Sequence, residues 1–153
     1  MGMDMEERNK RMVDIDEYLP VLIDIINTGK DVNMIITGSS MAPFLCHQRD
    51  TIIISKPTGH FFKGQMVFYK RDSGQYVMHR IHHIKDDALY IVGDNQTDIE
   101  GPIRKDQVFG VINKVIRKGK TLQKGDFWWE FFEHVWIRII PLRKLFVKLY
   151  SKL

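Results

Sequence analysis

A chain of 153 residues that is 44% hydrophobic and 27% charged has the size and composition of one folded domain with a real core, which excludes long disorder. Its single cysteine, Cys46, excludes an internal disulfide and reads as a small buried hydrophobe rather than a rival nucleophile. The net charge of +4 is unevenly placed: nine Lys or Arg face three acidic residues from Arg117 to Leu153, a surplus of +6, and the rest carries −2. General nucleic-acid binding is therefore not expected, and the basic end points to a local acidic partner, anionic lipid or an acidic peptide.

Asp14 and Asp16 stand where they could cap a helix in which Leu19, Leu22, Ile23 and Ile26, with Ile25 beside them, recur at helical spacing until Gly29 ends it. Met34, Ile35 and Ile36 then form a strand-like run that breaks at Thr37-Gly38-Ser39-Ser40-Met41-Ala42-Pro43, a tight turn with the Ser40 hydroxyl at an edge of the fold. A serine hydroxyl is a weak nucleophile by itself and needs a nearby base to take its proton. Thr51 to Ile54 reads as a buried strand, and Asp50 before it as turn chemistry.

Gln65 to Tyr69 and Gln75 to Ile84 read as paired strands joined through Asp72-Ser73-Gly74. Alternation puts Val77, His79 and Ile81 on one face, and His79 is the candidate base. A lone histidine among apolar residues is more often structural; the serine turn upstream gives this one its weight. His82 and His83 point to opposite faces with no Cys or His cluster elsewhere, so they read as surface histidines, and no metal or cofactor is expected.

Ala88 to Val92 leads into Gly93-Asp94-Asn95-Gln96-Thr97-Asp98. Asp94 has two readings, an Asx-type turn or a carboxylate that accepts the imidazole N–H and fixes its tautomer; Asp98 competes for the second role. Gln107 to Ile116 is a closing strand or strand pair before the turn at Lys118-Gly119-Lys120.

From Phe127, the residues Glu130, His134 and Arg138 recur every four positions amid Phe, Trp, Val and Ile, predicting a helix with a wide apolar face up to Pro141. Beyond it the polar set shifts phase to Arg143, Lys144, Lys148 and Lys152, which predicts a kink or a second helix. Trp128, Trp129 and Trp136 with flanking Lys and Arg suit a membrane interface, against which stand packing on the core and a dimer seam, so the oligomeric state stays open.

Gly38-x-Ser40-Met41-x-Pro43 resembles the nucleophile box of the type I signal peptidases and their relatives, the superfamily that also holds the self-cleaving repressor domains. Tyr76-Val77-Met78-His79-Arg80-Ile81 resembles its general-base box in the branch that uses histidine instead of lysine, and Gly93-Asp94-Asn95 resembles its third box. The resemblance spans about Asn33 to Ile116 and implies a mainly β fold, a coiled β-barrel of the signal peptidase and repressor type. It also implies a serine endopeptidase working through a Ser40–His79 dyad, assisted by Asp94 or Asp98, on a precursor or leader peptide. Gly38, Ser39, Met41 and Pro43 would then shape the oxyanion and substrate pocket. The expected organisation is a helical segment over 1–32, a peptidase β domain over 33–120 and a basic helical tail over 121–153.

The chain departs from the family's usual members in having no run of about 18 uncharged apolar residues, and Met1 to Arg11 is too charged for a signal peptide. The expected location is cytoplasmic or peripheral to a membrane. A self-cleaving regulator would need an Ala-Gly site before the serine, and the first 39 residues hold no alanine. A noncatalytic peptide- or membrane-binding module on the same fold is the remaining rival.

Overall fold

Residues 17–151 are described by a computed structural model of the chain. Helix α1 covers 17–27 and buries Leu19 and Ile26, while Ile25 is largely exposed. It ends as expected at Gly29, whose φ of +93° suits a residue without a Cβ and whose N–H donates to the Ile26 carbonyl. Asp14 and Asp16 lie outside the described residues.

Eight antiparallel strands follow: β1 (Val32–Ile35), β2 (Thr51–Ser55), β3 (Met66–Lys70), β4 (Tyr76–Lys85), β5 (Ala88–Val92), β6 (Glu100–Arg104), β7 (Val108–Arg117) and β8 (Lys120–Gln123). They form one sheet in the order β1-β2-β7-β3-β4-β5-β6, with β8 also paired to β7. The fold is mainly β with helices at both ends, as the motifs implied. Strand β6 has no counterpart in the sequence reading because Gly101 and Pro102 look like breaks; the structure accepts them since β6 is an edge strand.

Strand β3 is the divider. Met66 and Phe68 join a core with α1, β1 and β2, whereas Val67 and Tyr69 join a second core with β4, β5 and β6. That alternation leaves β3 buried on both faces and sets the side on which each residue of β4 must lie.

The tail differs from the single helix predicted up to Pro141. Helix α2 (Phe127–Glu130) widens into a π-helical turn over Phe131–Val135, tightens to a 3₁₀ turn over Trp136–Arg138 and breaks at Ile139. Pro141 then sits in the first turn of helix α3 (Ile140–Ser151), where its missing N–H costs no hydrogen bond. Trp129, Phe132 and Trp136 belong to the same core as Leu19, Ile26 and Phe44. Two of the three tryptophans that suggested a membrane interface are therefore buried, and Trp128 alone is substantially exposed.

Candidate active site

The serine turn is tied at both ends. Gly38, at φ +85°, donates its N–H to Nδ1 of His47 at 2.8 Å, and the Ala42–Pro43 peptide is cis. Beyond it Phe44 and Leu45 sink into the core, and Arg117 Nε donates to the Phe44 carbonyl at 2.7 Å. Buried Asp50 accepts from the N–H groups of Cys46 and Lys118 and from Arg49, the turn chemistry expected of it. Burial opposes its charge, but these donors prevail and hold the carboxyl below its ordinary pKa. Ser40 itself stays half-exposed, and its N–H donates to no group among the described residues.

The third box grips the first. Asn95 N–H donates to the Ser40 carbonyl at 2.9 Å, and a Cβ on Gly93 would stand 2.6 Å from that oxygen, so this close approach requires glycine. Arg143 of α3, 1% exposed, donates to the carbonyls of Gly93 and Gln96 and to that of Trp136, while Trp136 Nε1 donates to the Asp94 carbonyl at 2.8 Å. The C-terminal helices thus clasp the loop that holds the serine turn. No periodicity in the tail could have revealed this, because an arginine in a basic helix looks solvated.

His79 lies opposite Val67 on β3 and shares the buried face with Val77 and Ile81, as the alternation predicted. It is 4% exposed, and its Nδ1 has no hydrogen-bond partner among the described residues. Desolvation, aided by the Arg71 guanidinium, lowers its pKa from 6.5 to about 4, with Glu100 and Asp94 pulling the other way. The imidazole is therefore neutral at physiological pH.

Ser40 and His79 line one cavity of about 280 Å³, together with Gly38 and Met41 from the turn, Gln75, and Tyr76 to Met78 from β4. No hydrogen bond joins the two side chains. Ser39, Pro43 and Cys46 are not among the lining residues, so the pocket roles expected of Ser39 and Pro43 are not seen, and Met41 contributes chiefly as a core residue at 2% exposure. The cavity runs along a strand edge: among the described residues Tyr76 to His79 pair with β3 on one side only, since β5 meets β4 from Arg80 onward.

The expected contact between Asp94 and the imidazole is not made. Both carboxylate oxygens of Asp94 accept from Arg80, at 3.0 Å each, in a pair that is 0% and 1% exposed. Arg80 also donates to the Gly64 carbonyl and lies over the Phe44 ring. Asp98 is exposed and lines a different cavity. The acid that most favours a charged His79 is Glu100, which the sequence reading passed over; it accepts from Tyr69 Oη at 2.8 Å and from Arg71, and Tyr69 stands edge-on to His79. Its signal was faint, an acid beginning an edge strand that also went unread.

His82 and His83 are half-buried instead of surface residues: their Nδ1 atoms approach to 2.8 Å, and His83 stacks on Tyr90. Glu130, Glu133 and His134 bring ligand-type atoms within 4.8 Å of one another, though the histidine already pairs with both acids.

A serine on a tight turn and a buried neutral histidine, facing one cleft of an antiparallel β fold, define a serine-peptidase-like protein. The sequence model of the Peptidase S24-like family matches residues 2–116, and the chain belongs to that family. No curated protein and no solved structure matches the chain.

Proposed function

We propose that the chain is a serine endopeptidase that cleaves a precursor or leader peptide in the manner of the signal peptidases. The observation that carries this reading is the shared cleft: Ser40 and His79 line one cavity beside a strand edge that no other strand of the described residues pairs with. Ser40 Oγ attacks the peptide carbonyl, His79 takes the proton and returns it to the leaving amine, and water resolves the acyl-enzyme. The unengaged N–H of Ser40 is the natural donor to the oxyanion. An extended substrate adds as a strand along Tyr76 to His79, where main-chain bonds supply affinity without demanding much sequence. Bound peptide tightens the approach of Oγ to the imidazole, as catalytic hydrogen bonds commonly shorten in the Michaelis complex. The field of Glu100, and of Asp94 behind it, favours the imidazolium formed on the way.

The test is to incubate wild-type, Ser40→Ala and His79→Ala proteins with candidate precursors, map products by mass spectrometry and probe Ser40 with a fluorophosphonate. Cleavage and labelling by wild type alone are expected; an undiminished His79→Ala enzyme removes the base assignment.

Peripheral membrane attachment goes with this reading for a specific reason. Leu142, Leu145, Phe146 and Leu149 form an exposed stripe at helical spacing along α3, while none of the described helices is long and apolar enough to cross a membrane.

A further inference from the structure

Pairing between β1 and β2 runs on past the ends of both strands toward the nucleophile. Ile36 N–H donates to the Asp50 carbonyl, and the Ile36 carbonyl accepts from Gln48 N–H, each at 2.8 Å. The next alternate donor, Gly38 N–H, is accepted at 2.8 Å by Nδ1 of the His47 ring instead of by a main-chain carbonyl. Gln48, at φ +57°, adopts a left-handed conformation uncommon for a residue with a Cβ, and the turn it makes returns the chain to Ile36 and Gly38. Packing does not hold Gly38: at its φ of +85° a Cβ would have no atom of the described residues within 4 Å beyond its chain neighbours. A glycine in open space has several backbone wells to choose from, and the hydrogen bond to the imidazole selects one. Gly38 lines the catalytic cleft two positions before Ser40, whereas His47 is exposed and does not line it.

We propose that His47 is a positioning residue for the nucleophile: its Nδ1 fixes the arm of the turn that precedes Ser40, as Asn95 fixes the arm that follows. The proposal deepens the peptidase reading and rests on it for the reaction that this orientation serves. His47 acts through Gly38 and not on the substrate. It is no second base, because in a neutral ring the nitrogen free of a proton is the one that the Gly38 N–H occupies. Without the imidazole the exposed Gly38 N–H turns to water, so little stability is lost, while Ser40 Oγ spends less time in line with the carbonyl it attacks.

The test compares the full-length wild type with His47→Ala and His47→Asn. Asparagine places Oδ1 as many bonds from Cα as histidine places Nδ1, so it restores the acceptor and cannot serve as a base. The readouts are steady-state kinetics on a peptide that wild type cleaves, the rate of fluorophosphonate labelling at Ser40, and amide hydrogen exchange of Gly38 by NMR. His47→Ala is expected to lower kcat and the labelling rate by about tenfold with KM and Tm little changed, because the strand edge that takes the peptide is untouched. Gly38 exchange should quicken in the same variant, and His47→Asn should recover most of both effects. Wild-type kcat or unchanged Gly38 exchange in His47→Ala overturns the proposal. So does an Asn variant no better than the Ala variant, or a loss carried by KM or Tm in place of kcat. The two readings fail separately. A protein whose Gly38 exchange follows the acceptor as expected, but which cleaves nothing and resists fluorophosphonate, sinks the peptidase alone, whereas an active enzyme indifferent to His47→Ala sinks the positioning role alone.

Discussion

The carbonyl oxygen of Ser40 accepts the main-chain N–H of Asn95 at 2.9 Å, which fixes the serine turn to the loop at Gly93 instead of leaving it as a free corner. A methyl group on Gly93 would press into that same oxygen. Gly93→Ala is therefore expected to displace the turn and lower kcat/KM by about a hundredfold, the cost of roughly 1 Å of misplacement, with a smaller effect on Tm. Steady-state kinetics beside thermal unfolding checks this.

Arg143 holds the far side of the same loop through hydrogen bonds to the carbonyls of Gly93 and Gln96, and also donates to that of Trp136 in the tail. Arg143→Ala leaves those buried acceptors short of donors, and a loss of about 3 kcal/mol is expected in urea unfolding. Deleting residues 127 to 153 takes Trp129, Phe132 and Trp136 out of the core and should leave an unfolded chain, so a truncation cannot report on membrane binding. Replacing Leu142, Leu145 and Leu149 by Ser touches only exposed side chains; the expected outcome is a folded protein that no longer floats with anionic liposomes.

On the proposed mechanism the acidic limb of activity belongs to His79, with the neutral imidazole as the working form, so kcat/KM should be flat across neutral pH and fall about tenfold per unit below the depressed pKa, near pH 4. A lysine base would place the rise at alkaline pH instead. The same shift enters stability with a definite sign: below 6.5 the unfolded chain binds a proton that the folded chain refuses until about 4. The contribution of His79, on the order of 3 kcal/mol, is whole above pH 6.5 and is lost as pH falls through about 4. His79→Gln should flatten that part of the stability profile, measured by urea unfolding at successive pH values.

Asp94 separates two roles by measurement. As the partner of buried Arg80 it should cost about 3–5 kcal/mol when changed to Asn, because an unpaired guanidinium is left in the core. As the carboxylate that holds the imidazole it would cost turnover with little change in Tm. The geometry leads us to expect the first outcome, and Glu100→Gln to lower kcat with a modest change in Tm, since Glu100 is partly exposed.

Local chemistry made much of this protein legible without coordinates. Ser40 on a glycine-and-proline turn, His79 on an alternating strand and Gly93-Asp94-Asn95 after an apolar run are patterns of neighbours, and neighbours are what a linear chain displays. Strand β4 kept its period of two for Val77, His79 and Ile81, which share one core, so the face carrying His79 could be named in advance. The partners of buried charges could not be named. Asp94 lies fourteen positions from Arg80, Arg143 fifty from Gly93 and Glu100 twenty-nine from Arg71, and each pairing exists only because the sheet and the tail bring distant backbones to one place. Burial makes such choices binding, since a desolvated charge must take whichever complementary group the fold sets beside it.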